Sequence, residues 1–255
     1  MRFMTRPGLH PLLRTALIAG IVSGAAATVA AAAPWYFQPR TMTRAMQRKW
    51  GAGGLLFEVD TDEPVFALTF DDGPHPPFTP AVLDTLAERD AKATFFIMGE
   101  QAQRHPALLA RILADGHEVG NHFYDGRPTL VMPDREMLAS LERTEELLGG
   151  HNTGQLVRPA SGFLRESERQ LLQDRGYRIV IGSAYTSDTT NPPRAYMRWA
   201  FKQMLEPGRI VILHDGRRNR QRTVDVLPAI LDEADRLGLR PVTVSELLTH
   251  ARSEV

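Results

Sequence analysis

At 255 residues the chain is long enough to bury one sizeable core, and a β/α architecture of this length is ordinarily a single domain. With 43% apolar and 24% charged residues it is neither low-complexity nor collagen-like. Lys plus Arg balances Asp plus Glu at 30 each, which argues against a nucleic-acid or anionic-membrane partner held by a broad basic field; the lack of cysteine excludes disulfides and thiolate metal ligands.

In chain order, Arg2, Arg6 and Arg14 precede an uncharged stretch, 15–38, rich in Ala, Gly, Leu, Ile and Val. At about 20 residues per bilayer crossing it is long enough to span. It also carries Ala31-Ala32-Ala33, the small-residue character of a cleavage site. Residues 1–38 are therefore read as a signal peptide or a membrane anchor, with 12–33 as the candidate anchoring stretch. Either reading places the rest of the chain outside the cytoplasm: periplasmic, secreted or membrane-anchored facing outward. Residues 39–63 read as a linker and lead-in, with Gly51, Gly53 and Gly54 breaking any helix.

From residue 64 to 255 short apolar runs alternate with amphipathic ones. The apolar runs predict strands over 65–70, 93–98, 117–121, 155–159, 177–182, 209–214 and 240–244. Several are near-continuously apolar, as in strands buried on both faces of a parallel sheet. Between them Thr79-Pro80, Pro106, Pro133 and Thr223 open helices, while Gly116, Gly149-Gly150 and Gly238 close them. The alternation predicts an α/β fold of about seven parallel strands joined by right-handed crossovers, either a barrel or a doubly wound sheet.

The reactive residues collect at the carboxyl ends of these strands, where β/α barrels place their sites. Asp71-Asp72 follow the first strand, His122 the third, Arg158 ends the fourth and His214-Asp215 the sixth. Taken alone, Asp72-Gly73 is an ordinary turn dipeptide. Two adjacent carboxylates at the end of an apolar strand are costly, however, because like charges disfavour each other's ionised form. A bound cation would relieve that repulsion and leave one carboxylate free as a base.

The segments ALTFDDGPHPPFTPAVLDTLAERDAKATFFIMG (67–99), GHEVGNH (116–122), Arg158-Pro159 and IVILHDG (210–216) resemble the polysaccharide deacetylases, carbohydrate esterase family four. The resemblance runs from about residue 64 to 248. It implies a distorted (β/α) barrel and a divalent metal, most often zinc. The implied reaction removes acetyl groups from N-acetylated amino sugars of an envelope or extracellular glycan. It makes Asp71 the general base, Asp72 and His122 metal ligands, Arg158 the partner that holds Asp71 oriented, and His214 the general acid. Leu213 is expected to line the pocket for the acetyl methyl. A backbone N–H in the Ala160-Ser161-Gly162 loop is expected to meet the oxyanion, which makes Ser161 a substrate-binding candidate. Asp188 is placed to orient His214 and raise its pKa.

The chain departs from the family pattern at Gly126, four residues after His122, where a second metal-binding histidine is usual. Asp125 stands one residue earlier, and residues three apart in a helical or turn-like segment share a side. An Asp72, His122, Asp125 set is therefore the expected metal site, with His75 as a fallback at the rim. The aromatic residues usual after Arg158-Pro159 are also replaced, which loosens the substrate class. Two alternatives remain: a deacylase of a lipid-linked or small amide, and a glycan-binding pseudoenzyme that has lost its metal.

Overall fold

A computed structural model of the chain describes residues 38–252 apart from Arg218. The segment read as a signal peptide or anchor lies outside the described residues. Among those described, no helix is long and apolar enough to cross a membrane.

The chain opens with α1 (Arg40–Trp50) and β1 (Leu55–Leu56), then alternates. The first units are β2 (Val65–Asp71), α2 (Phe78–Glu88), β3 (Thr94–Ile97), α3 (Gly99–Arg104), α4 (Pro106–Ala114), β4 (Glu118–Asn121) and α5 (Asp134–Leu148). There follow β5 (Leu156–Val157), α6 (Glu166–Gln173), β6 (Arg178–Val180) and β7 (Ala184–Tyr185). The chain ends with α7 (Arg194–Met204), β8 (Ile210–His214), α8 (Gln221–Arg236), β9 (Arg240–Val242) and α9 (Val244–Thr249). The strands form one sheet in the order β1-β6-β5-β4-β3-β2-β8-β7, with β9 also on β2, and every strand pairing is parallel.

This is the distorted barrel that the resemblance implied. Its seam is crossed by the chain itself. The N–H groups of Ile181 and Gly182 donate to the carbonyl of Leu56 beside β6, and one residue later Ser183 N–H donates to Ile210 at β8. Gly182 turns that corner at φ 90°, where a Cβ would come within 2.7 Å of Ile212. Only glycine fits there without strain.

Side chains alternate along β2 with period two. Phe66, Leu68 and Phe70 point outward into the large apolar cluster shared with α2, α7 and α8. Val65 and Ala67 point inward to Phe96, Leu156, Val180, Ile210 and Val242. All seven residues of β2 are buried, which is why its sequence reads as a continuous apolar run. Burying each of the three outward side chains contributes about 1.5–3 kcal/mol, so the strand that carries the aspartate pair is firmly anchored. Thr69 and Asp71 continue the inward row to the carboxyl end of the strand.

Seven strands were expected and nine are present among the described residues. The two extra ones, β1 and β7, are two residues long and carry no periodic signal. The stretch 39–63 is not a linker. Its glycines end a complete helix rather than prevent one, and Gly54 takes φ 79° just past it. A buried polar network docks it: Thr43 Oγ1 donates to Glu58 Oε2 at 2.5 Å, and Arg209 reaches Thr43 Oγ1 at 2.7 Å and the Gln38 carbonyl at 2.7 Å. Hydropathy cannot reveal such docking, because the contact is made by charged and polar groups.

Candidate active site

Asp71, the last residue of β2, pairs in register with His214, the last residue of β8, so the two side chains leave the sheet next to each other. Each has its own partner behind it. Arg158, just past β5, donates from Nη1 to Asp71 Oδ1 at 2.6 Å and to Thr69 Oγ1 at 2.7 Å. Its Nε donates to the Val180 carbonyl at 3.0 Å, and its guanidinium lies 4.0 Å from the centre of the Phe96 ring. Arg158 and Asp71 are both buried, so the pair is a short charge-assisted bond shielded from water. Its effect is to hold one carboxylate oxygen of Asp71 and leave the other available.

Asp188 grips His214 twice. Its Oδ1 accepts from the imidazole Nδ1 at 2.7 Å and its Oδ2 from the His214 backbone N–H at 2.9 Å. Thr223 Oγ1, in the first turn of α8, donates to Oδ2 at 2.9 Å. With Nδ1 committed, Nε2 is the nitrogen left for chemistry. Burial disfavours the imidazolium, but the charge and hydrogen bond of Asp188, followed by Asp71 and Asp72, outweigh it and push His214 up to about 9. Asp188 is moved the other way. Burial raises it, yet His214, Thr223 and Arg220 bring it below the usual carboxylate range.

Asp72 is a non-glycine residue at φ 73°, and at such a φ it diverges from Asp71. Its Oδ1 lies 3.7 Å from His122 Nε2, and its Oδ2 accepts from Arg220 Nη2 at 3.2 Å. The carbonyl of Arg158 can only accept, so the 2.8 Å contact from His122 Nδ1 carries the proton on Nδ1. Nε2 then presents a lone pair to Asp72, the orientation that second-shell bonding gives to metal-binding histidines. Asp215 lies beneath, held by Thr79 Oγ1 at 2.5 Å, with Oδ1 buried and unpartnered. Burial, with Asp72 and Asp71 nearby, pushes Asp215 up to about 7 against the Thr79 bond.

The residues present do not fit a three-ligand catalytic metal. Asp125 is not the third ligand: its Oδ2 accepts from Arg127 Nε at 2.8 Å and its Oδ1 from Arg127 N–H at 3.2 Å. It lines a separate polar pocket with Glu100, Gln103, Arg104 and Tyr124. Among the described residues no three His, Asp or Glu side chains are grouped as a metal would need. The spacing argument failed because the segment after His122 is not helical; Phe123 at φ 61° and Gly126 at φ 41° turn the chain away. His75 does not fill the gap either, since it faces Phe78 and His105.

Leu213 is also misassigned. It pairs with Phe70 and lies in the apolar layer under the helices, on the face opposite to His214. Ile212, in register with Thr69, is the neighbour that shares the face of His214. Ser161 sits in a surface turn closed by Gly162 N–H donating to the Pro159 carbonyl at 2.9 Å. Phe163, 61% exposed, follows in the same loop, whose backbone accepts from Thr129 beside the exposed Leu130 and Val131. Sequence reasoning placed Asp215 at the end of a strand and Thr223 at the start of a helix without giving either a site role, and it did not single out Arg220. Arg220 lies in the run RRNRQR (217–222), where nothing in the sequence sets it apart from the other arginines.

The polysaccharide deacetylase family profile matches residues 58–180. The chain is 35% identical over 204 residues to a peptidoglycan-N-acetylglucosamine deacetylase of Bacillus cereus, covering 78% of this chain and 94% of that one. It is 33% identical to a chitooligosaccharide deacetylase of Sinorhizobium fredii, over 61% of this chain and 74% of that one. A crystal structure of the Bc1960 peptidoglycan N-acetylglucosamine deacetylase superposes with a TM-score of 0.75 at 28% identity, covering 80% of this chain and 98% of that one.

Proposed function

The chain belongs to the polysaccharide deacetylase family, carbohydrate esterase family four, and on that premise we propose that it hydrolyses the acetamido group of an N-acetylated amino sugar in an envelope glycan. The observation that carries this reading is the register pair Asp71 and His214, each fixed by its own buried partner, Arg158 and Asp188. In this reading Asp71 takes a proton from water as the oxygen attacks the acetyl carbonyl carbon. A tetrahedral oxyanion forms. His214, protonated because its pKa lies near 9, gives its Nε2 proton to the sugar nitrogen as the C–N bond breaks. The immediate products are acetic acid and a free amine; the acid then loses its proton to solvent as acetate, and the proton held by Asp71 passes back to His214 to restore the site.

A backbone N–H in the turn at Ser161 is the candidate donor to the oxyanion. Phe163, with Leu130 and Val131, offers an exposed apolar face for a sugar ring, in a loop where the family's usual aromatic residues are missing. The relatives named above act on peptidoglycan and chitooligosaccharides, which favours an N-acetylglucosamine polymer outside the cytoplasm. The test is acetate release from peptidoglycan and from chitooligosaccharides by the purified protein, against Asp71→Asn as the control. No acetate from either substrate removes the reading.

A further inference from the structure

We infer that this site carries its positive charge in the chain itself: Arg217 lies against Gly126, from which the missing third ligand would project, Arg220 neutralises Asp72, and no divalent ion is bound tightly. The inference rests on the deacetylase reading only for its consequence, that the reaction runs without a resident metal.

Catalytic metals of this kind are held by three protein ligands plus water. Two candidate donors remain here, Asp72 Oδ1 and His122 Nε2. Against Gly126, from which the third would project, lies a cation. Arg217 Nη1 donates to the Gly126 carbonyl at 3.1 Å. A Cβ built on Gly126 would fall 2.1 Å from that nitrogen and 2.6 Å from the guanidinium carbon. A side chain at 126 would have to displace the exposed end of Arg217. Arg217 itself takes φ 66°, a conformation that side-chain-bearing residues rarely adopt.

Arg220 completes the arrangement. It is buried, its Nε donates to the Gly216 carbonyl at 3.0 Å, and its Nη2 reaches Asp72 Oδ2. Gly216 lies so close that a Cβ there would be 2.0 Å from the Asp72 carbonyl oxygen, which fixes the loop against the aspartate. A guanidinium remains charged, offers only donors and cannot ligate a metal. The Arg220 guanidinium on Asp72 competes with a dication for that carboxylate. It also supplies what the dication would there, a countercharge for Asp72.

The test is a zinc titration of the full chain after dialysis against chelator, read by calorimetry and by metal content, with acetate release followed in parallel. Wild-type protein is expected to hold well under one zinc per chain and to release acetate equally well in chelator. The double variant Gly126→His/Arg217→Gly is expected to bind one zinc at least about 100-fold more tightly, beyond what an outer-shell change produces. Because histidine at φ 41° is strained, Arg217→Gly alone serves as a second variant, expected to tighten zinc binding without that strain. Tight stoichiometric zinc in the wild type, lost in His122→Ala, overturns the inference and leaves the deacetylase reading intact. Acetate release that requires added zinc overturns it as well. Absence of both zinc binding and acetate release supports the inference and fells the deacetylase reading.

Discussion

Asp71 and Asp72 are adjacent in sequence, yet the two halves of the site they head are built differently. Asp71 belongs to a half in which, on the proposed reading, every contact serves a proton transfer: Arg158 behind the base, His214 beside it, Asp188 and Thr223 behind the acid. Asp72 heads a half in which two donors face each other at 3.7 Å, with Arg220 on Asp72 and Arg217 on the Gly126 carbonyl. On the two proposals above, the acid–base pair is kept while the neighbouring cation site has drifted. The two depend on different strands and loops, and the turn at Asp72 separates them.

The sharpest break of this comparison is Asp71→Asn. A positioned general base contributes about 10²–10⁴-fold, so acetate release should fall by that factor. Arg158 loses its buried partner at the same time, and breaking a buried pair costs about 3–5 kcal/mol, so a lower melting temperature should accompany the loss. Activity retained within tenfold would mean that Asp71 is structural.

Arg220→Met probes the other half. Removing the countercharge of buried Asp72 should also destabilise by about 3–5 kcal/mol, measured by urea unfolding. Here, unlike at Asp71, added zinc should restore part of the loss, because the vacated charge is replaced by the ion. Destabilisation below 1 kcal/mol would show that Asp72 is compensated by another group.

Asp188→Asn sharpens the comparison through pH. The folded pKa of His214, about 9, lies above its ordinary 6.5, so the proton-donating form is complete below about pH 6.5 and disappears as pH rises through about 9. The alkaline limb of kcat should therefore lie near pH 9 in the wild type. Without the carboxylate it should move toward 6.5. At pH 8 the protonated fraction falls from about 90% to about 3%, roughly a 30-fold loss of rate. A limb that stays at 9 would assign the titration to a different group.

The sequence exposed the catalytic half well and the other half poorly, for a physical reason. Asp71, Arg158 and His214 sit at the ends of buried parallel strands, where apolar runs fix position and register, so their convergence followed once the strands were placed. Asp188 was legible as a loop acid after β6, although the helical turn that aims it was not. Leu213 was lost to a shift of one residue, since neighbours on a strand face opposite sides and only pairing decides which is inward. Asp125, Gly126 and Arg217 depend on positive φ angles in loops, which no periodicity announces. The lead-in at 40–63 failed similarly, because its docking rests on Arg209, Glu58 and Thr43 rather than on an apolar stripe.

The smallest expected effect belongs to Asp125→Ala, and it decides whether the contrast between the halves is real. Asp125 is paired with Arg127 at the surface, and Arg127 keeps a second partner, Glu136, at 2.6 Å. Exposed pairs of this kind contribute between about 0.2 and 1 kcal/mol, so unfolding should barely change. Zinc affinity and acetate release should stay within about twofold of wild type, as for substitutions distant from the reacting atoms. A fall in zinc affinity by orders of magnitude would mean that the 122–127 loop swings Asp125 toward Asp72 and His122 when the ion arrives. The arginine-filled half would then be a resting form of a metal site, and the separation of the two halves would vanish on binding.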